Sequence, residues 1–341
     1  MTEPRTPKTL RAKTPTDLLA LVPYLLGFHP EDSVVMMTVG AADTPVHARQ
    51  DLPELPDEVP LLVEDLLTVA LRSGLRRVAL VVYSSDEVIA DAVAHPLMTA
   101  LESAAVDVPI AMRADGERWY CLGVGEGACA GRCPGDCPPE GTPYDLARHP
   151  ITLEAVVDGR LVHASRDAMR DSLVGDDPDE VDRVAAAMDA AGERLLRAEA
   201  GRPHLVQEGR WVQHRVRRFL RDGQRLDSHD VGRLVVAIAA VEVRDVAWAQ
   251  IGHDDARRHI DLWSDVVRRC PREALAAPAA LLGFAAWLAG DGALAWCAVE
   301  RCQETEPGYG LAGLVTQALA GAVPPTAWTP LGPDALTLFA G

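Results

Sequence analysis

Apolar residues along the chain follow two patterns, and the switch between them predicts the architecture. In the first half, unbroken apolar runs of strand length alternate with stretches of helical periodicity. Thr14 can cap a first helix, Pro15 suits its opening turn, and Asp17 supplies the carboxylate of a capping box. Leu18, Leu19, Val22, Leu25 and Leu26 recur behind it at helical spacing, with Pro23 expected to kink or shorten the helix and Gly27 to stop it. His29-Pro30-Glu31-Asp32 reads as a turn, and residues 33–39 as a strand. Residues 60–73 predict a helix carrying Leu61, Leu62, Leu66, Val69 and Ala70 on one side, ended by Gly74. A second strand follows over 78–83, a helix interrupted at Pro96 over 87–104, and a third strand over 108–112. Residues 118–122 and 153–157 look like additional edge strands. Strands without alternation, separated by helices, are the pattern of a sheet buried on both faces. The expected fold of this half is an α/β domain, a mixed sheet with flanking helices.

Beyond Arg160 the pattern is helical almost to the end, with candidate helices over 179–199, 208–222, 228–243, 253–269, 277–289, 293–304 and 310–319. The polar junction Gly175-Asp176-Asp177-Pro178-Asp179-Glu180 separates the two patterns. Its carboxylates lack the offsets of a calcium loop; Asp177 as cap, Pro178 in the first turn and Glu180 three residues after the cap describe a helix start. The chain therefore divides into a disordered tail over 1–13, an α/β domain over 14–170 and an all-α domain of stacked helical hairpins over 178–332. Gly290-Asp291-Gly292 reads as a tight turn between two of these helices.

Composition narrows the function classes. With 341 residues, 48% hydrophobic and 24% charged, the chain can bury two ordinary cores. A formal net charge of -17 argues against nucleic acid or anionic membrane as a partner of the whole surface. No apolar run reaches the length of a membrane span; the longest, 274–289, reads as a buried helix. Seven cysteines without a secretory segment point to reducing cytoplasm.

Candidate chemistry concentrates in four places. Cys121, Cys129, Cys133 and Cys137 sit among glycines and prolines in a cysteine-rich loop spanning 121–143. Four thiolates there can wrap a structural zinc ion, although their spacing lacks two CxxC knuckles; a reversible disulfide, an iron–sulfur site or no special role are the alternatives. Gly123-Val124-Gly125-Glu126-Gly127 lacks the strand-before and helix-after context of a phosphate cradle and reads as a flexible loop. Arg210, His214, Arg217, Arg218 and Arg221, with Arg225, fall on one side of a helix whose other side carries Val212, Val216, Phe219 and Leu220. Such a face can hold an acidic partner or phosphate, or be a solvated face paired with local carboxylates. His29, beside Glu31 and Asp32, is the one cluster resembling an acid–base group, placed where a pocket at strand ends would be.

The segments Pro23-Tyr24-Leu25-Leu26-Gly27-Phe28-His29-Pro30-Glu31-Asp32-Ser33-Val34-Val35, Trp119-Tyr120-Cys121, Cys137-Pro138-Pro139-Glu140-Gly141-Thr142-Pro143 and Ala286-Trp287-Leu288-Ala289-Gly290-Asp291-Gly292-Ala293-Leu294-Ala295 resemble the actinobacterial domain-of-unknown-function-4192 family. The resemblance spans nearly the whole chain and implies an actinobacterial, cytoplasmic protein, without an activity to carry over. It also implies a cysteine adjacent to Cys137, where this chain has Asp136, with Cys129 and Cys133 further back. Residues 295–312, with Ala298, Pro307, Tyr309 and Ala312, resemble the second helix of a tetratricopeptide unit and the start of the next. The expected function is a non-enzymatic binding or adaptor protein with a protein partner. The alternatives are an enzyme with its pocket at the strand ends, or a metal or redox sensor using the cysteine loop.

Overall fold

The computed structural model describes residues 12–40, 46–123, 137–157, 161–197 and 201–331, with residues 336, 338 and 339. These form two compact units, divided between Arg166 and Asp167.

The first unit opens with α1 (Pro15–Leu26), whose capping box is closed at both bonds: Asp17 N–H donates to Thr14 Oγ1 at 3.1 Å, and Thr14 N–H to the Asp17 carboxylate at 2.9 Å. Pro23 lies inside α1 and does not end it: the helix gives up the one bond that the Pro23 nitrogen would make and runs on to Gly27, whose N–H donates to the Pro23 carbonyl at 2.9 Å. Then come β1 (Ser33–Thr38), β2 (His47–Asp51), α2 (Val59–Arg72), β3 (Arg77–Tyr83), α3 (Glu87–Ser103), β4 (Asp107–Ala114), β5 (Arg118–Cys121), β6 (Thr142–Pro143) and α4 (Pro150–Val157). They build a six-stranded mixed sheet of order β2-β1-β3-β4-β5-β6. Only β3 and β4 run parallel; every other neighbouring pair is antiparallel.

Val34, Met36, Leu80 and Val82 on one sheet face join Leu62 and Leu66 of α2 with Val93, Leu97 and Leu101 of α3 in one cluster. Alternate residues Val35, Met37, Val81 and Met112 are buried as well, which is why β1, β3 and β4 read as continuous apolar runs. Helix α3 runs straight through Pro96, where an interruption is expected, with Val93, Leu97 and Leu101 on either side of it buried in the first cluster.

Three elements depart from the sequence pattern. Strand β2 is polar (His-Ala-Arg-Gln-Asp) and gives no apolar signal, because it lies at the sheet edge. Residues 153–157 belong to α4, not to a strand: Pro150 opens the helix and Leu153 N–H reaches the His149 carbonyl at 3.0 Å. A short apolar run of this kind carries no period that separates strand from helix. Strand β5 is not an edge, since β6 pairs along its outer side.

The second unit is helical: α6 (Pro178–Arg197), α7 (Arg202–Asp222), α8 (Ser228–Ala237), α9 (Val241–Trp248), α10 (Ala256–Arg269), α11 (Ala276–Leu288), α12 (Gly292–Gln303) and α13 (Gly310–Ala320), after α5 (Arg166–Asp171), which spans the division. Helix α6 packs on α8 and α7 on α9, whereas α10 to α13 pack between sequence neighbours as hairpins. Every residue of α11 is buried, as its Ala-rich, charge-free sequence requires. The Asp291 side chain caps α12 at the Leu294 N–H, 3.1 Å away, closing the turn from α11. The single helix expected over 228–243 breaks at Ile238–Ala240, with no Gly or Pro there; Ile238, Val243 and Val246 are all fully buried, so packing sets the break. At Gly232 a side chain has no room: a Cβ would stand 2.6 Å from Ala187 Cβ and 2.8 Å from the Met188 nitrogen, so this glycine lets α6 and α8 close up.

Candidate functional site

The carboxyl ends of β3 and β4 open onto a cavity of about 510 Å³. Tyr83 ends β3 and Ser84-Ser85 follow it; Ala114 ends β4 and Asp115-Gly116 follow it. Leu19 and Pro23 of α1, the turn His29-Pro30-Glu31-Asp32, and Tyr144-Asp145-Leu146 complete the wall. The place follows from topology: loops that leave parallel strands at their carboxyl ends have no sheet beyond them to fill the space. His29, Glu31 and Asp32, singled out from the sequence, thus share one cavity; among the described residues no cysteine lines it.

The polar groups of the cavity are held very differently from one another. Burial alone would raise the Asp115 carboxyl, but the N–H groups of Arg118 and Glu117 (2.6 and 2.9 Å) and the Tyr120 hydroxyl (2.9 Å) hold it below the usual carboxylate range. Asp145 accepts the Ala147 N–H at 2.8 Å. Ser84 Oγ accepts the Asp86 N–H at 3.1 Å, while its carbonyl receives buried Arg113 at 3.3 Å. Glu31 and Asp32 are exposed, and their carboxylates have no partner among the described residues. Asp32 holds a φ of +37°, a left-handed backbone that Asp tolerates better than most residues, and its carbonyl takes the Leu52 N–H at 2.8 Å.

Tyr83 stands apart from the other polar groups of the wall. Its hydroxyl is shielded from solvent yet has no hydrogen-bond partner among the described residues, and neither has Ser33 Oγ on the residue directly opposite in β1. Burial, reinforced by nearby Tyr144, pushes the Tyr83 phenol well above its ordinary pKa. Burial and then the Asp115 charge raise Tyr144 also, against a backbone bond at Gly116. Both phenols are neutral at physiological pH. Sequence reasoning missed Tyr83, Ser84, Asp115 and Tyr144; the available signal was their position at, or just beyond, strand ends.

The cysteines stand elsewhere. Cys121 Sγ and Cys137 Sγ lie 2.8 Å apart, bringing the end of β5 against the segment that leads to β6. Cys129 and Cys133, like most of the segment from Gly123 to Gly127, lie outside the described residues. Gly141, in the same motif as Cys137, has a φ of +74°, and a Cβ there would meet the Tyr120 ring at 2.5 Å. The Arg118 guanidinium fastens this turn through the carbonyls of Glu140 (3.0 Å) and Gly141 (2.8 Å).

On α7, Val212 and Val216 are buried while Arg210, His214, Arg217, Arg218 and Arg221 are exposed. Arg221 forks onto Asp222 at 2.7 and 2.9 Å, Arg218 reaches Gln224 at 3.3 Å, and Arg225, beyond the helix end, pairs with Asp265 at 2.8 Å. Arg210, His214 and Arg217 have no ion-pair partner among the described residues. Arg217, Leu220 and Arg221 line a shallow hollow with Asp254, Asp255 and Arg258, whose guanidinium donates to the Leu220 carbonyl.

The junction carboxylate Glu180 has a different role from the helix-start reading. Asp177 does cap α6, accepting the Glu180 N–H at 3.0 Å. The Glu180 side chain, however, is buried against Arg269 (2.6 and 2.7 Å), Ser228 (2.9 Å) and Arg183 (2.9 Å). Burial alone would raise its pKa, but these bonds, Arg269 foremost, bring it down to about 2.

Among the described residues, three metal-capable groups come within 4.8 Å of one another only at Asp227, His229 and Asp230, where Asp227 caps α8 and Asp230 pairs with Arg215 at 3.2 Å. That arrangement is a helix start. No helix there is long and apolar enough to cross a membrane.

A mixed sheet with a ligand-sized cavity at its parallel strand ends, followed by a separate helical unit, defines a two-part α/β and all-α protein. The chain belongs to the family described as Domain of unknown function (DUF4192), whose model matches residues 15–326. No curated protein and no solved structure matches it.

Proposed function

We propose that the α/β unit is a small-molecule-binding module whose ligand occupies the cavity at the ends of β3 and β4. The observation that carries this is the cavity of about 510 Å³ itself, placed at the carboxyl ends of the parallel pair and lined by the Glu31 and Asp32 carboxylates, which no described residue pairs. Concave sites at such strand ends, with a few placed polar groups, are the usual setting for small ligands. The test is methyl NMR of the full chain against a fragment library of neutral, cationic and anionic members. Hits should move the Leu19, Ala114 and Leu146 methyl signals and vanish in Ser85→Trp, an exposed lining position that a large ring would block. A library that leaves all three methyls unmoved removes this reading.

Two further roles are specific to other parts of the chain. The close approach of Cys121 and Cys137 supports a zinc site or a reversible disulfide. In the zinc case, protein purified without chelator carries about one zinc per chain, and Cys137→Ser lowers metal content and melting temperature together. The unpaired Arg210, His214 and Arg217 on α7 support an acidic protein partner in a cytoplasmic setting, the adaptor role. A partner recovered by the wild-type chain and kept after Arg217→Glu, Arg218→Glu and Arg221→Glu would rule out this face.

A further inference from the structure

The charges around the cavity are one-sided. Glu31, Asp32, Asp115 and Asp145 line it, and among the described residues neither lysine nor arginine does. Buried Arg113 stands behind the wall, committed to the Ser84 carbonyl and stacked 3.9 Å from the centre of the Tyr120 ring. Asp115 spends its lone pairs on three donors, and Asp145 one of its oxygens on Ala147. Glu31 and Asp32 have spent none among the described residues, so their full charge faces whatever enters.

The usual route to an anion site is closed. The start of α3 follows β3 directly, but Asp86 already accepts the first exposed N–H groups, from Val88 at 2.8 Å and Ile89 at 3.3 Å. Among the described residues, His29 is the one lining side chain able to carry positive charge. A bare divalent ion is poorly served too, because among the described residues no three His, Cys, Asp or Glu side chains of the wall bring ligand atoms within 4.8 Å of one another. A ligand that brings its own donors and positive charge, and whose apolar part can lie against Leu19, Pro23 and Leu146, fits all of these conditions.

We infer that the cavity takes a small organic ammonium ion, its N–H groups directed to Glu31 and Asp32 and its body against Tyr83 and Tyr144. An aromatic wall suits a cation. This inference rests on the cavity being a ligand site, and its test separates the two.

Three probes matched in shape and differing in charge decide it: phenethylammonium, 2-phenylethanol and 3-phenylpropanoate, titrated into the methyl-labelled full chain at low salt. Phenethylammonium should shift the Leu19, Ala114 and Leu146 methyls saturably and bind at least ~10-fold more tightly than either partner, with the difference shrinking as added salt screens the carboxylates. The double variant Glu31→Gln, Asp32→Asn should weaken it by ~10-fold or more, since two paired charges are lost. Both positions are exposed, and Asn accepts the +37° φ of Asp32 as readily as Asp does, so the variant keeps its fold. Equal or tighter binding of the alcohol or the carboxylate overturns the ammonium inference and leaves the ligand site standing. So does silence from all three probes when other fragments of the library move the same methyls. If no fragment of any charge moves them, both readings fall.

Discussion

In the helical unit, Glu180 lies buried with Arg269, Ser228 and Arg183 all bonded to it, and Arg269 in turn reaches the Leu226 carbonyl and Asp265, both at 2.8 Å. In the α/β unit, Tyr83 carries a hydroxyl just as shielded and bonded to nothing described, beside carboxylates without partners. The physical cost of burial is the same kind in both places: a polar group leaves water and must find replacement bonds. At Glu180 the chain supplies them from three helices, α6, α8 and α10, which is what a structural centre requires. At Tyr83 it does not, so no such centre is built there, and the groups left for a ligand are the exposed Glu31 and Asp32 carboxylates lining the cavity. A net charge of -17 says nothing of this difference.

The comparison can be broken most forcefully at Arg269. Arg269→Ala strands the Glu180 carboxylate in a buried site and should cost about 3–5 kcal/mol of the helical unit's stability, read as a lowered denaturant midpoint. The pair Glu180→Met with Arg269→Met should cost much less than either change alone, because no uncompensated charge is left. A single change as mild as the double one would mean that the centre is solvated and the contrast false.

Acid probes the same centre. The folded Glu180 pKa of about 2 lies below its ordinary 4.5, so the unfolded chain binds the proton more readily between these values. Its contribution is therefore fully present above about pH 4.5 and is lost as pH falls toward 2. Chemical denaturation at stepped pH should show the helical transition falling over that window, with a shallower fall in Glu180→Gln. Equal slopes would show that other carboxylates carry the acid sensitivity.

In the α/β unit, Gly141→Ala should lower stability by about 1–3 kcal/mol, from a Cβ forced on the Tyr120 ring and a left-handed backbone. The smallest effects give the sharpest contrast. Ser228→Ala removes a hydroxyl bonded to Glu180 and should cost about 1 kcal/mol, whereas Tyr83→Phe removes one bonded to nothing described and should be neutral or slightly stabilising without ligand. A Tyr83→Phe loss matching that of Ser228→Ala would show the Tyr83 hydroxyl to be satisfied and the contrast with Glu180 false.

What could be read from sequence divides along the range of the interactions involved. The cap of α1 was legible from Thr14, Pro15 and Asp17 because its bonds span three residues. So were β1, β3 and β4, whose burial on both faces writes an unbroken apolar run. Strand β2 was not, since an edge strand obeys no burial pattern, and 153–157 was misread because five apolar-rich residues carry no period. His29, Glu31 and Asp32 were noticed as neighbours in one turn, while Tyr83, Asp115 and Tyr144 were not, being gathered from three separate strand ends.

By itself, then, the sequence determined the local elements, the two-part division into an α/β and a helical region, and the burial of α11, all governed by caps and by hydrophobic periodicity within a few residues. Only the tertiary structure decided the sheet order, the break between α8 and α9, and which polar residues meet. Glu180 reads locally as the companion of a helix cap, yet its main partner is 89 residues away. Nothing local encodes that partner, because the bond exists only once two distant helices have packed.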